Sequence, residues 1–214
     1  MSSKLLLFPF GGNAREALLS VLALHADWDI LGFIDDNSAH HGKECCGFKV
    51  LGGRELLPTF PDAFVLAVPG SPTNYHRRSQ VISGLGLDDS RFATILHPSV
   101  GRSLDATIGC NTIIMSNVVI SCGVTIGSHC VVLPNTVISH DSTVGDYCCV
   151  GSNVSISGTV HIGSSCYIGS GTKIREDVSI GAGSLIGLGS NVLADIPAGV
   201  IAVGSPAKVI RNQT

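Results

Sequence analysis

Aromatic residues make up only 5% of this chain, and charged residues only 14%, where an average soluble domain carries about 25%. So little charge excludes a disordered tail or a helical bundle laced with salt bridges. The net charge of −3 leaves no basic footprint, so nucleic acid is not an expected partner. No run of 18 apolar residues occurs, so the positive mean hydropathy of +0.40 does not come from a membrane helix and no membrane insertion is expected. The segment Leu5-Leu6-Leu7-Phe8 is too short for the core of a secretion signal and runs straight into a glycine turn. The eight cysteines contain no C-x-x-C spacing, which argues against zinc and against a disulfide scaffold. Reduced thiols, a cytoplasmic location and no metal are the expectation.

What the chain does have is glycine, 26 of its 214 residues, and two textures. Residues 1–97 alternate strand and helix. Leu5–Phe8 reads as a strand, Pro9–Asn13 as a loop, and 14–25 as a helix with Ala17, Leu18, Val21 and Leu22 on one face. Asp29–Ile34 reads as a second strand closing on Asp35-Asp36, and Ala63–Val68 as a third. A helix is expected from Thr73 to Ser83, and a last strand over Arg91–Leu96. This order opens an α/β, Rossmann-like unit, whose ligand site belongs at the carboxyl ends of its strands, near Gly11, Gly12 and Asp35. The loop is not a G-x-G-x-x-G, so the dinucleotide fingerprint is absent. A plain turn at Gly11-Gly12 and a solvated Asp35-Asp36 loop are the alternative.

Residues 98–214 differ entirely. Every sixth residue from Ile108 to Val192 is Ile or Val, fifteen positions without exception. Such a fixed period marks a solenoid. Two places before each stands a small or β-branched residue, Cys130, Cys148 and Cys166 among them. Three places after often stands Asn, Asp or Gly, residues that tolerate the left-handed backbone of a tight corner. Ile108, Ile126, Val144, Ile162 and Ile180 are each followed by glycine, so three hexads make one eighteen-residue coil. The three cysteines then form one interior column of small core residues. Only six charged residues lie between Ile108 and Val192, and faces so weakly charged imply burial against copies of the same chain, with a homotrimer the simplest closure.

The hexads Ile126-Gly-Ser-His-Cys-Val, Val144-Gly-Asp-Tyr-Cys-Cys and Ile162-Gly-Ser-Ser-Cys-Tyr resemble those of hexapeptide-repeat, left-handed parallel β-helix acyltransferases, and the ending Val203-Gly-Ser-Pro-Ala-Lys-Val-Ile-Arg is similar to theirs. With Gly11-Gly-Asn-Ala-Arg-Glu, Gly32-Phe-Ile-Asp-Asp-Asn and Ser139-His-Asp-Ser-Thr-Val-Gly-Asp, the whole chain resembles a narrower group of sugar acetyltransferases: PglD, the perosamine N-acetyltransferases and the NeuD-like enzymes. The resemblance implies acetyl-CoA in the groove between neighbouring prisms, and a nucleotide-linked amino sugar held by the N-terminal domain. It places His140 on the general base and Asp141 on the acidic residue beside it. Cys149, Gly158, Ser170 and Leu188 fall on the coenzyme side, and Lys208 in the tail is a candidate for its phosphates. Gly11, Gly12, Asn13, Asp35 and Asp36 fall on the sugar-nucleotide side. Three positions depart from the group: Cys149 replaces a second histidine, Leu133-Pro134-Asn135 replaces Asn-Thr-Gly, and Asn13 replaces a frequent histidine.

The residues themselves allow the same chemistry. His140 stands at a corner two places after the core residue Ile138, and the position one coil later is Gly158. Adjacent coils lie about 4.8 Å apart, so the imidazole has open space and a nearby amide N–H, a base and an oxyanion donor for a thioester. His129, His140 and His161 do not share a column, which disfavours a three-histidine zinc site. Cys149 as a covalent nucleophile is not required by direct transfer. His25, His40, His41, His76 and His97 read as surface or packing residues. The expected activity is N-acetylation of a nucleotide-linked amino-deoxysugar, with O-acetylation of a sialic-acid-like sugar and a non-catalytic trimeric sugar-nucleotide scaffold as alternatives.

Overall fold

The computed structural model describes residues 2–24 and 27–213. The N-terminal sheet holds β1 (Ser3–Phe8), β2 (Trp28–Ile34), β3 (Glu44–Cys45), β4 (Phe48–Gly52) and β5 (Phe64–Ala67), in the order β3-β4-β2-β1-β5. All neighbours run parallel except the β3–β4 hairpin. Leu5, Leu6 and Leu7 are fully buried, as a strand covered on both faces requires. Helix α1 (Gly12–Ala23) covers one face through Ala14, Ala17, Leu18 and Val21. It starts two residues earlier than the sequence suggests, and the expected end at His25 lies outside the described residues. The expected helix from Thr73 is a 3₁₀ turn, Tyr75–Arg77, followed by the short α2 (Arg78–Ser83).

The second part is a three-sided parallel β-helix of two-residue strands. Its first face stacks Ile113–Ile114, Val131–Val132, Cys149–Val150, Tyr167–Ile168 and Leu185–Ile186, its second includes Val137–Ile138 and Ser155–Ile156, and its third Thr143–Val144 and His161–Ile162. From Ile95 to Val192 each strand pairs in register with the one eighteen residues on, and the last turn is shorter, with Leu185 paired to Ile201. The Ile/Val positions from Ile114 to Val192 fill the interior, with Ile108 packed at its open end. Expected corner residues, among them Asn111, Asn117, Asn135, Asp141, Asn153 and Asp177, have positive φ. Glycine after every third hexad has a separate cause: a Cβ on Gly145 would stand 2.6 Å from the Ser164 nitrogen of the next coil, and on Gly163 2.6 Å from the Ala182 nitrogen.

The small residues two places before each Ile/Val are more than filler. Thr112 and Thr136 donate their hydroxyls to the carbonyls of Gly127 and Gly151 at 2.9 and 2.8 Å, and accept the N–H groups of Cys130 and Val154. Cys130, Cys148 and Cys166 turn their thiols to the carbonyls of Gly145, Gly163 and Gly181. These bonds satisfy corner carbonyls that no strand pairs.

The last strand expected over Arg91–Leu96 is divided: Phe92 makes a single parallel bridge to Val65 of β5, and Ile95–Leu96 pairs with Ile113–Ile114 as the first rung of the β-helix. The final segment, expected as an exposed tail, is a hairpin of Val200–Gly204 and Ala207–Asn212 that closes the first face. No helix among the described residues is long and apolar enough to cross a membrane.

The interior ladder predicts unequal effects along one strand. Ile156→Ala should cost about 2–5 kcal/mol in urea unfolding, whereas the outward neighbour Ser155→Ala should stay within about 0.5 kcal/mol. Similar losses at both positions would contradict the assignment of inner and outer faces.

Candidate active site

Strands β1 and β5 lie side by side and send their chains away from each other at their carboxyl ends, the crevice where α/β sheets take ligands. The loop after β1 leads into α1 through Gly11, whose position at the helix start carries no side-chain cap. Asn13, in the first turn, donates to the carbonyls of Val68 at 3.3 Å and Gly70 at 3.1 Å, tying the helix start to the loop after β5. That loop rests on the first face of the β-helix. A cavity of about 240 Å3 results, with Gly12, Asn13 and Ser71 on one side and Leu133, Cys149 and Tyr167 on the other. Beyond Tyr167 and Pro72 the trough continues as a second cavity of about 290 Å3, bordered by Ser170 and Leu188.

Arg78 holds the two parts together. It is buried, and its guanidinium donates to three backbone carbonyls: Tyr147 at 3.1 Å, Pro69 and His129. Asn111 makes a paired bond to Ala67, accepting its N–H at 2.8 Å and donating to its carbonyl at 2.9 Å, so a corner of the β-helix extends the end of β5. Tyr75 donates its hydroxyl to the Gly183 carbonyl at 3.0 Å. Tyr75 and Arg78 carry no signal in the sequence, and the repeat marks Asn111 only as a corner residue, because each acts through a carbonyl or amide brought near only by the fold.

The acidic pair is placed as expected but is engaged within the chain. Asp35 is buried and accepts the N–H of Phe10 at 2.8 Å and of Asn37 at 2.7 Å, with His40 Nδ1 at 3.1 Å. It therefore shapes the loop after β1. Asp36 accepts the backbone N–H of Arg54 at 3.0 Å and pairs with its guanidinium, which holds the carboxyl below the usual carboxylate range.

His140 and Asp141 sit at the corner between the second and third faces. His140 Nδ1 lies 2.9 Å from Asp141 Oδ2, and both side chains are more than half exposed. The ring covers Gly158: a Cβ there would meet His140 Cε1 at 2.5 Å. Among the described residues, none accepts the Gly158 N–H. Ser170 and Leu188, by contrast, lie at the corner between the first and second faces. One chain therefore brings Ser170, Leu188, Cys149, Gly12 and Asn13 to one trough, and His140, Asp141 and Gly158 to another edge. Lys208 stands exposed on the final hairpin, paired in register with Val203.

Cys149 is buried, and burial pushes its thiol up, so it stays protonated and unsuited to nucleophilic attack. Donor atoms of Asp89, Cys110 and His129 lie within 4.8 Å of one another. Asn111 Nδ2 donates to His129 Nδ1 at 3.0 Å, which leaves the proton of a neutral imidazole on Nε2. A metal ligand has the opposite arrangement, donating through the nitrogen that does not bind, so this cluster does not fit one. His129 instead stacks on Tyr147, with ring centroids 4.6 Å apart, and burial pushes its pKa down.

The family model for the bacterial transferase hexapeptide (six repeats) matches residues 105–140. No curated protein matches the sequence. Among solved structures, the acetyltransferase domain of PglB from Neisseria gonorrhoeae FA1090 is similar with a TM-score of 0.86 and 26% identity, over 98% of this chain and 100% of that one. PerB from Caulobacter crescentus in complex with CoA and GDP-perosamine follows with 0.83 and 24%, over 98% and 97%. WeeI from Acinetobacter baumannii AYE gives 0.71 and 21%, over 98% and 100%. The expected architecture, a Rossmann-like α/β unit ahead of a left-handed β-helix, is that of these proteins.

The Asp36–Arg54 pair predicts a signature in acid. A carboxyl lowered in the folded state stabilises the fold above its unfolded pKa, and that contribution disappears as pH falls through the lowered value. Asp36→Asn should cost less than about 1 kcal/mol at pH 7, because the pair is partly exposed. The gap between variant and parent should close progressively below about pH 4 in denaturation at stepped pH. A gap that persists unchanged in acid would contradict the ion pair.

Proposed function

We propose that this chain, an acyltransferase of the hexapeptide-repeat sugar acetyltransferase group, moves acetyl from acetyl-CoA to the amino group of a nucleotide-linked amino-deoxysugar. The observation that carries the reading is the His140 ring, held by Asp141 through Nδ1 and lying over Gly158. An Nδ1–H donated to the carboxylate leaves Nε2 with its lone pair toward solvent, the tautomer a general base needs. The amine attacks the thioester carbonyl, a C–N bond forms, and His140 Nε2 takes the proton from nitrogen. The Gly158 N–H is the candidate donor to the oxyanion. Collapse breaks the C–S bond, and the proton passes from His140 to the leaving thiolate.

Acetyl-CoA would lie along the trough of Ser170 and Leu188, with its thioester near Cys149. Lys208 is a candidate for its phosphates. Gly11, Gly12 and Asn13 would border the acceptor. Because His140 and this trough occupy different corners of one prism, the complete site needs the base of a neighbouring copy, and a homotrimer supplies it. The acidic pair no longer supports a nucleotide by itself, since Asp35 and Asp36 are both engaged internally. Support comes from PerB, which was solved with CoA and GDP-perosamine. An amine acceptor is preferred over a hydroxyl on the same ground.

The test is thiol release from acetyl-CoA over a panel of amino nucleotide-sugars and sialic acids. An amino nucleotide-sugar should be acetylated, and His140→Asn should lower kcat by about 10²–10⁴-fold with CoA affinity retained. Turnover with sialic acid alone, or an unchanged rate in His140→Asn, would overturn the reading.

A further inference from the structure

The site described above leaves more room at the thioester end than an acetyl group fills. The side chains of Cys149, Tyr167 and Leu185 form one column of the first face, paired in register coil by coil. The two cavities are consecutive stretches of the trough along this column, and Pro72 and Tyr167 border both. From Leu185 to Cys149 is two coils, about 10 Å. An extended donor held at Ser170 and Leu188 therefore ends in the cavity of Cys149 and Leu133. That cavity has about 240 Å3, and no charged side chain borders it. An apolar cavity of roughly 150 Å3 already takes a benzene ring, whereas acetyl carries one carbon beyond its carbonyl.

The two walls differ in chemistry. Val131, Leu133, Cys149, Val150, Gly151 and Tyr167 form the wall on the β-helix side, and its only polar side-chain groups are the thiol, kept protonated by burial, and the Tyr167 hydroxyl. A hydroxyl-rich sugar buried against it would lose hydrogen bonds to water with little return, whereas methylene groups gain from the contact. Asn13, Gly70 and Ser71 line the opposite side.

We infer that the β-helix side of this cavity is the acyl pocket of the donor, that it admits acyl groups longer than acetyl, and that Leu133 sets its length. The inference rests on the acyl-transfer reading above. The chemistry balances as before for any chain length: the amine nitrogen bonds the acyl carbon, the C–S bond breaks, and the amine proton ends on the coenzyme thiol.

The experiment measures kcat/KM for acetyl-, propionyl-, butyryl- and hexanoyl-CoA with the full-length protein and an amino nucleotide-sugar, by thiol release and product mass. Propionyl and butyryl should fall within about tenfold of acetyl. Leu133→Trp should lower the butyryl-to-acetyl ratio by at least about tenfold, and Leu133→Ala should raise the hexanoyl-to-acetyl ratio. Acetyl turnover with butyryl below about one hundredth of it, or ratios unmoved in both variants, would overturn the inference and leave the acyl-transfer reading standing. Consumption of no thioester at all would overturn both.

Discussion

Everything in this molecule depends on one geometric condition: each turn of chain must close after eighteen residues, in register, about 4.8 Å above the turn before. A coil meets it only if β-branched side chains fill the inside, left-handed corners turn the chain, and buried corner carbonyls find donors. The hexad Ile/Val positions do the first, and residues such as Asn135, Asp141 and Asn153 the second. Thr112, Thr136 and the thiols of Cys130, Cys148 and Cys166 do the third. Because the condition repeats from coil to coil, a side chain at a corner before the last coil stands over the residue eighteen places on. His140 stands over Gly158 for that reason.

This stacking also explains why the candidate site residues divide between edges. The β-helix has three corners, and the N-terminal domain can cover only one face. It covers the first, where Asn111 and Arg78 lock the end of β5 and the loop after it onto the coils. The trough of Cys149, Ser170 and Leu188 forms along that face. His140 projects from a corner that the N-terminal domain does not reach, with Asp141 as its partner within the chain.

The repeat, its corners and the His140–Gly158 stacking were legible because they follow from spacing alone. The first rung was not: Leu96 and Arg102 keep the six-residue phase, but a charged residue at 102 breaks the run of Ile and Val, so the unbroken pattern begins only at Ile108. Positive φ at Tyr147, Thr159 and Ser165 was equally hidden, since position in the coil overrides what those residues prefer. The β3–β4 hairpin left no periodicity in two-residue and five-residue strands. Asp35 and Asp36 were visible as an acidic pair, but their use was not. Whether a carboxylate meets a ligand or the N–H of Phe10 depends on contacts across 25 residues of sequence. Arg78 could not be singled out, because its three carbonyl partners come from two domains.

In the proposed site, the base and the coenzyme trough of one reaction come from different copies of the chain. Hybrid oligomers test it directly. His140→Asn removes the base, and Ser170→Trp blocks the trough; each variant alone should be inactive. Unfolding the two together and refolding them at equal amounts should restore about a quarter of wild-type acetyl transfer, because random assortment leaves that share of sites with both halves intact. Activity no greater than that of the separate variants would contradict a site shared between chains.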